Sequence, residues 1–261
     1  MTQNQAYEPG RFKGTVPFYE RYRLAYPQRL VDRVAGLAGL TPGDAVLDLG
    51  TGPGFLAVPF ARAGMAVTAA DPEPSMLEAA GEAAKAAGVD ITLWQGGSYE
   101  LTPQMGPFRM VTIGRAFHWM DRAATLDMLD RIISKGGAVA LFHDAHPDVV
   151  ENRWFKTLRA VSDRYKDDAV RKVHAHKRYE PFLFESAFTV VEGLSLTTRS
   201  QIGLDDIIGR AYSMSPFTAD RLGGRRDEFK SELRAALLAH AVDGKFIEIA
   251  EMVAVVARRQ E

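Results

Sequence analysis

Two acids flank a glycine-rich turn between residues 45 and 71 of this sequence. Asp48 stands two residues before Gly50, and Asp71 follows about 20 residues after that glycine, at the end of a second apolar run. Glycines after a strand let the backbone bend and approach a ligand, and a carboxylate at the next strand end accepts hydrogen bonds from a ribose diol. The pattern therefore predicts a βαβ unit that binds a nucleoside.

The glycine spacing separates the possible nucleoside ligands. A dinucleotide fingerprint places its third glycine five residues after the first, whereas Gly54 here follows Gly50 by four. An acid beside the turn, Asp48, repels a pyrophosphate but accepts hydrogen bonds from an ammonium group, directly or through water. An NAD-dependent oxidoreductase is therefore disfavoured.

The stretch LDLGTGPG at residues 47–54 resembles motif I of the class I S-adenosylmethionine-dependent methyltransferases, with its acid and three glycines. This resemblance implies an α/β fold with a Rossmann-like, seven-stranded, mostly parallel sheet flanked by helices. It implies S-adenosylmethionine as cofactor, S-adenosylhomocysteine as product, and methyl transfer to an O, N or C atom of a small molecule in biosynthesis. A non-methylating reaction of the same fold, such as a cyclisation, and a cofactor-binding module without catalysis remain alternatives.

The same resemblance suggests which residues contact the cofactor. FYERYRLAYP at residues 18–27 is similar to the segment that closes over the methionine end, so Arg23 would pair with the cofactor carboxylate, unless it is solvated while the tyrosines pack on the sheet. Ser98 stands where the family usually presents an acid to the adenine. The implied cofactor contacts are Arg23, Asp48, Gly50, Thr51, Gly52, Gly54, Asp71, Pro72, Met76, Gly97, Ser98 and Arg115.

A fourth strand at residues 108–114 should deliver RAFHWMD to the edge of the sheet where open α/β folds bind ligands. We expect the acceptor to contact Tyr19, Tyr22, Phe117 and Trp119. His118 either takes a proton from the acceptor or only orients Trp119 and bonds to backbone.

The fifth strand brings His143, Asp144 and His146 to the same edge. His146 is a second candidate base. Two histidines three residues apart without a further ligand do not suggest a metal site, so none is predicted.

Composition narrows the partners and the location. The formal net charge is −1, which gives no attraction to nucleic acid or to an anionic membrane, so we expect a small-molecule acceptor. No secretory signal or membrane span is visible, and the chain has no cysteine, which favours a cytoplasmic enzyme. The oligomeric state is left open.

Residues 1–261 are predicted to form a single domain with residues 1–26 as a lid and residues 147–187 and 203–240 as cap elements. Helices are expected at residues 27–39, 55–63, 75–88 with Ser75 as N-cap, 121–131, 151–178, 204–215 and 226–240. Strands are expected at residues 45–49, 65–70, 91–94, 108–114, 136–146, 188–200 and 245–258. The basic run KVHAHKR at residues 172–178 could meet an acidic substrate or form a solvated face.

Overall fold

The computed structural model describes residues 14–166 and 179–260. The strands of these residues are β1 Ala45–Leu49, β2 Ala66–Asp71, β3 Thr92–Gln95, β4 Phe108–Gly114, β5 Ile133–Ala145, β6 Val190–Gly203 and β7 Lys245–Arg258. The helices are α1 Val16–Tyr22, α2 Gln28–Leu37, α3 Ala57–Arg62, α4 Pro74–Ala87, α5 Arg122–Ile132, α6 Arg153–Tyr165, α7 Glu180–Phe184, α8 Leu204–Tyr212, α9 Ala219–Leu222 and α10 Arg226–Leu238. The basic run KVHAHKR at residues 172–178, expected to meet an acidic substrate or form a solvated face, lies outside the described residues.

All seven strands form one sheet in the order β3-β2-β1-β4-β5-β7-β6. Strands β1 to β5 are parallel, and β7 runs antiparallel to both β5 and β6. The chain order reverses between β1 and β4, which creates a crevice at their carboxyl ends. The predicted seven-stranded, mostly parallel sheet is confirmed, and β7 spans the predicted residues.

Alternating side chains divide the core between the two faces of the sheet. Val46 of β1 packs with α2 and α3 on one face, and Leu47 packs with α5 on the other. Both strand faces are apolar because helices cover both sides of a parallel sheet. Crevices in such sheets form at the carboxyl ends of the strands, so polar side chains that bind a ligand are expected there.

Two predicted helix starts are wrong by a few residues. Helix α4 begins at Pro74 with Glu73 as N-cap, and Ser75 is exposed inside its first turn. Proline fits the first turn because its fixed φ is helical and its missing N–H has no partner to lose there. Helix α3 begins at Ala57 because residues 53–56 form turns, whereas Asp121 caps α5 as predicted, accepting from the Ala124 N–H at 3.1 Å.

Helices α6, α8 and α10 share a third apolar cluster. Trp154 and Leu158 of α6 pack there with Ile207 of α8 and Leu233 of α10. The two segments expected to form the cap thus bury apolar side chains against each other, next to the start of β7. Among the described residues, no helix combines the length and apolar character needed to cross a bilayer.

Candidate functional site

The turn after β1 is built from glycines in left-handed conformations. Gly50, Gly52 and Gly54 have φ of 74°, 54° and 85°, which cost little without a Cβ. A Cβ at Gly50 would lie 2.5 Å from the Cβ of Ala116, so the loop after β4 packs directly on this turn. A Cβ at Gly52 would have no atom within 4 Å, which leaves this backbone open to a ligand.

Asp48 holds the turn from inside. Its Oδ2 accepts hydrogen bonds from Thr51 Oγ1 at 2.7 Å and the Ala57 N–H at 3.1 Å, and its Oδ1 accepts from Thr112 Oγ1 at 2.9 Å. Burial raises the pKa of Asp48 to about 6 although these bonds favour the ionised form. The carboxylate of Asp48 therefore links β1 to the start of α3 and to β4, independently of any ligand.

Asp71 lies beside the same turn at the end of β2. Its Oδ2 accepts from the Gly52 N–H at 2.9 Å, and its Oδ1 accepts from the Glu73 N–H at 3.0 Å. Burial raises the pKa of Asp71 to about 6, against both hydrogen bonds. Each oxygen keeps a lone pair that could accept from a diol.

A narrow cavity of about 10 Å³ adjoins this turn. Residues of α1, the β1 turn and the end of β4 line it: Tyr19, Tyr26, Asp48, Gly50, Thr51, Phe55, Leu56, Gly114 and Arg115. Tyr19 of α1 contacts Phe55, with ring centroids 5.5 Å apart. The segment before α2 therefore covers this cavity through Tyr19 and Tyr26.

Arg115 is fixed at the rim of the cavity. Its backbone has φ of 57°, a strained value for a residue other than glycine. The side chain forms an ion pair with Asp144 and donates to the Leu24 carbonyl, and its Cζ lies 4.5 Å from the Tyr26 ring centre. Burial alone would raise the pKa of Asp144, but Arg115 and Arg23 together hold it well below its ordinary value.

Arg23 differs from Arg115 in its partners. Its Nε is buried and has no hydrogen-bond partner among the described residues. Burial lowers the pKa of Arg23; the nearby Tyr19 and Asp144 oppose this change, and the cations Arg115 and Arg210 add to it. Its Cζ lies 5.2 Å from the ring centre of Tyr19, which lines the cavity. A buried guanidinium nitrogen without a partner is costly unless an anion completes the site.

The remaining predicted cofactor residues lie at the adjoining end of the sheet. Met76 is buried in the first turn of α4, and Pro72 links β2 to that helix. Gly97 and Ser98 follow β3 and are half-buried, with the Gly97 N–H donating to Glu100 Oε2 at 2.9 Å. These residues thus lie on the β2 and β3 side of Asp71, opposite Arg23.

The predicted acceptor residues of the loop after β4 differ in how deeply their side chains are buried. His118 and Trp119 are half-buried and adjacent, with ring centroids 4.5 Å apart. Phe117 is 1% exposed and packs against Tyr179 and Phe182. The side chain of Phe117 therefore packs in the core of this structure, and its contact with the acceptor stays a prediction.

Two other expectations change because distant segments cover the side chains. His146 is only 2% exposed, its Nε2 lies 2.7 Å from Glu248 Oε1, and its ring stacks on Phe155 at 4.0 Å. In this structure His146 is therefore covered instead of standing at an open edge, and its action as a base stays a prediction. Tyr22 packs on Gly209 instead of facing an acceptor: a Cβ at that glycine would lie 2.4 Å from the tyrosine ring.

Sequence reasoning missed Glu248 and the pairing of Asp144 with Arg115. Glu248 occupies an inward position of β7 between the buried residues Phe246 and Ala250. An acid on the apolar face of an alternating strand is a usable signal, because burying it requires a partner. Among residues 14–166 and 179–260, no group of three or more His, Asp or Glu side chains could hold a metal ion.

Comparisons with known proteins agree with this geometry. A family model described as a methyltransferase domain matches residues 46–137. An uncharacterised methyltransferase of Mycobacterium tuberculosis is 27% identical over 204 residues, which cover 78% of each chain.

Solved structures share the fold. The YcgJ protein of Bacillus subtilis has a TM-score of 0.57 at 18% identity, covering 90% of this chain and 100% of its own. An S-adenosylmethionine-dependent methyltransferase of Geobacter sulfurreducens, solved with S-adenosylhomocysteine, has a TM-score of 0.52 at 15% identity, covering 97% and 99%.

The sheet order, the acid and glycine pattern of the β1 turn and the matched domain all point to a methyltransferase fold. Asp48 and Asp71 lie at the crevice where such a sheet binds its ligand. Residues 46–137 thus match a methyltransferase domain, and the chain is similar in sequence to an uncharacterised methyltransferase and in fold to an S-adenosylmethionine-dependent methyltransferase.

Proposed function

We propose that this enzyme transfers a methyl group from S-adenosylmethionine to an O, N or C atom of a small molecule at the carboxyl edge of β1, β4 and β5. The observation that carries the proposal is the buried Arg23 Nε, which has no partner among the described residues, beside a cavity bounded by Asp48. A guanidinium on one side and a carboxylate on the other suit an amino-acid zwitterion.

The residues present fit the cofactor group by group. Asp71 would accept from the ribose hydroxyls, Arg23 would hold the carboxylate, and Asp48 would receive the ammonium group, directly or through water. Gly50, Thr51, Gly52 and the further predicted contacts would shape the surrounding backbone. When bound, S-adenosylmethionine supplies an electrophilic methyl group on a sulfonium sulfur.

The acceptor would lie at the loop after β4. Ala116 touches the β1 turn, so His118 and Trp119, which follow two and three residues later, lie close to the cofactor site. We propose that His118 takes the proton that the acceptor loses, where the acceptor has one to lose. Tyr19 and Trp119 would contact the acceptor, and alignment would supply most of the remaining acceleration.

The third apolar cluster supports the proposal that residues 1–261 act as one domain with a cap that selects the acceptor. Phe155 of α6 and Arg210 of α8 both contact His146, which follows directly after β5. A net charge of −1 suits a small molecule better than nucleic acid. The cytoplasmic location and the biosynthetic role stay predictions.

The role of Arg23 predicts how binding depends on the ligand. Arg23→Gln should weaken S-adenosylmethionine binding about tenfold or more, because a charge-assisted hydrogen bond to a carboxylate contributes roughly 1.5 kcal/mol. The same change should leave binding of 5′-methylthioadenosine nearly unaltered, because this fragment lacks the amino-acid end. Titration calorimetry of the parent and the variant with both ligands measures the two effects.

Arg21 provides the matched control, since it is an exposed arginine in the last turn of α1, two residues before Arg23. Arg21→Gln should bind both ligands as the parent does. An equal loss for both ligands in Arg23→Gln would show that Arg23 supports the fold of the site instead of holding a carboxylate.

A further inference from the structure

Two arginines clamp the backbone on either side of Arg23. The Nε of Arg210, on α8, donates to the Tyr22 carbonyl at 3.1 Å. An Nη of Arg115 donates to the Leu24 carbonyl. The residue proposed to hold the cofactor carboxylate therefore has its neighbours fixed from two different parts of the fold.

Arg210 is itself held from β7. Its two Nη atoms donate to the two carboxylate oxygens of Glu248, one of them at 3.3 Å, and His146 bonds to Oε1 of the same carboxylate. Burial alone would raise the pKa of Glu248, but the bonds from His146 and Arg210 lower it, so the group stays ionised at neutral pH. The guanidinium thus has an anchored orientation toward Tyr22.

The surface around Arg210 fits α1 closely. A Cβ at Gly209 would lie 2.4 Å from the Tyr22 ring, and Phe18 packs on Tyr212 with ring centroids 5.5 Å apart. Only glycine at this position of α8 leaves room for the tyrosine. Helix α8 therefore holds α1 through close side-chain packing as well as through the hydrogen bond from Arg210.

A buried ion pair of this kind is weak evidence for a stabilising role. Desolvating two charges costs about as much as their attraction returns, so apolar replacements of such pairs are often neutral or stabilising. What the pair does provide is a fixed direction for the remaining donor, here the Arg210 Nε. Its target is the carbonyl next to Arg23.

We propose that Arg210 is a positioning residue for cofactor binding, oriented by Glu248 and His146, and that it acts through Arg23. By fixing the Tyr22 carbonyl it keeps the Arg23 side chain and the Tyr19 ring at the cavity. This inference rests on the proposed function. It also gives His146 the role of supporting Glu248.

Arg210→Met is the variant that tests the proposal, and Arg258→Met is its control. Arg258 has the same architecture, since it donates to the Leu37 carbonyl at the end of α2 at 2.8 Å and pairs with Glu192 of β6. Neither partner of Arg258 lines the cavity. Thermal denaturation of both variants reports how much each arginine contributes to the fold.

Arg210→Met should raise the dissociation constant of S-adenosylmethionine about tenfold, because apparent affinity falls in proportion to the population of the competent arrangement. Hydrogen exchange should become faster in residues 16–24 of this variant. Arg258→Met should change neither quantity. Arg210→Lys keeps the charge but cannot bridge Glu248 and Tyr22, so its dissociation constant should lie between those of the parent and Arg210→Met. It replaces Arg210→Met in these measurements if that variant does not fold.

A double variant shows whether Arg210 acts through Arg23. Combining Arg210→Met with Arg23→Gln should weaken binding no more than Arg23→Gln alone, because the partner through which Arg210 acts is already absent. Additive losses, or unchanged exchange in residues 16–24, would overturn the inference. A parent that fails to bind S-adenosylmethionine overturns the proposed function instead, and the exchange comparison still decides the role of Arg210.

Discussion

Replacing His118 by alanine is expected to lower the turnover of methyl transfer on the order of 10²-fold or more, the lower range for losing a general base. Affinity for S-adenosylmethionine should stay near that of the parent, because Arg23, Asp48 and Asp71 hold the cofactor without this side chain. Imidazoles titrate near neutral pH, so the parental rate should rise with pH across that range. The variant should lack this rise.

Two other histidines serve as controls for His118. His240 bonds to Thr157 Oγ1 at 2.8 Å, between α6 and the end of α10, and His240→Ala should leave the pH profile unchanged. His146→Ala should weaken the support of Glu248 without removing the pH dependence of the rate. Parental turnover and an unaltered profile in His118→Ala would eliminate it as the base and leave an orienting role beside Trp119.

Asp71→Ala is expected to weaken S-adenosylmethionine binding by about 1.5 to 3 kcal/mol, the range for losing hydrogen bonds to a charged group. Unlike Arg23→Gln, Asp71→Ala should also weaken the binding of 5′-methylthioadenosine, because that fragment keeps the ribose. Asp44→Ala is the matched control: Asp44 accepts from the Thr41 N–H at 2.7 Å, before the start of β1 and so at the opposite edge of the sheet. Binding in that control should equal the parent's.

The raised pKa of Asp71 predicts a pH dependence with a definite sign. The folded-state pKa of about 6 lies above the ordinary 3.8, so this group's contribution to the stability of the free protein is lost as pH rises from about 4 to about 6. Ligand affinity should change the opposite way and fall as pH drops through about 6, because a protonated carboxyl accepts fewer hydrogen bonds.

Asp71→Asn should reduce this fall in affinity and leave the part that comes from Asp48, whose pKa is also raised to about 6. Titrations of both proteins between about pH 5 and pH 8 measure it. If the affinity of the parent does not change with pH, then either Asp71 does not change its protonation in this range or its carboxylate does not contact the ribose.

Local patterns were sufficient to predict the β1 turn and most elements. Gly50 and Gly54 signal a turn by themselves because a left-handed backbone needs no distant partner, and β1, β4 and β7 follow from apolar runs of the right length. The start of α4 was misjudged because two rules competed. A proline at position 74 fixes φ for a first turn, and it outweighed the capping tendency of Ser75.

Contacts between distant segments could not be read from local patterns. His146 appeared to end at an open edge, but its partner Glu248 lies 102 residues away. Phe117 appeared to face the acceptor, but Tyr179 and Phe182 close over it from another helix. In both cases an adjacent segment converts an edge position into a buried one, and the residue's own neighbours in sequence carry no sign of it.

We propose that the site formed by Asp48, Asp71 and Arg23 binds S-adenosylmethionine and uses it for methyl transfer. The most direct test titrates the full chain with S-adenosylmethionine and, separately, with NAD, then incubates it with candidate small molecules and searches by mass for a methylated product. We expect saturable binding of S-adenosylmethionine that S-adenosylhomocysteine displaces, little response to NAD, and a product heavier by one methylene. Tight NAD binding with no response to S-adenosylmethionine would contradict it.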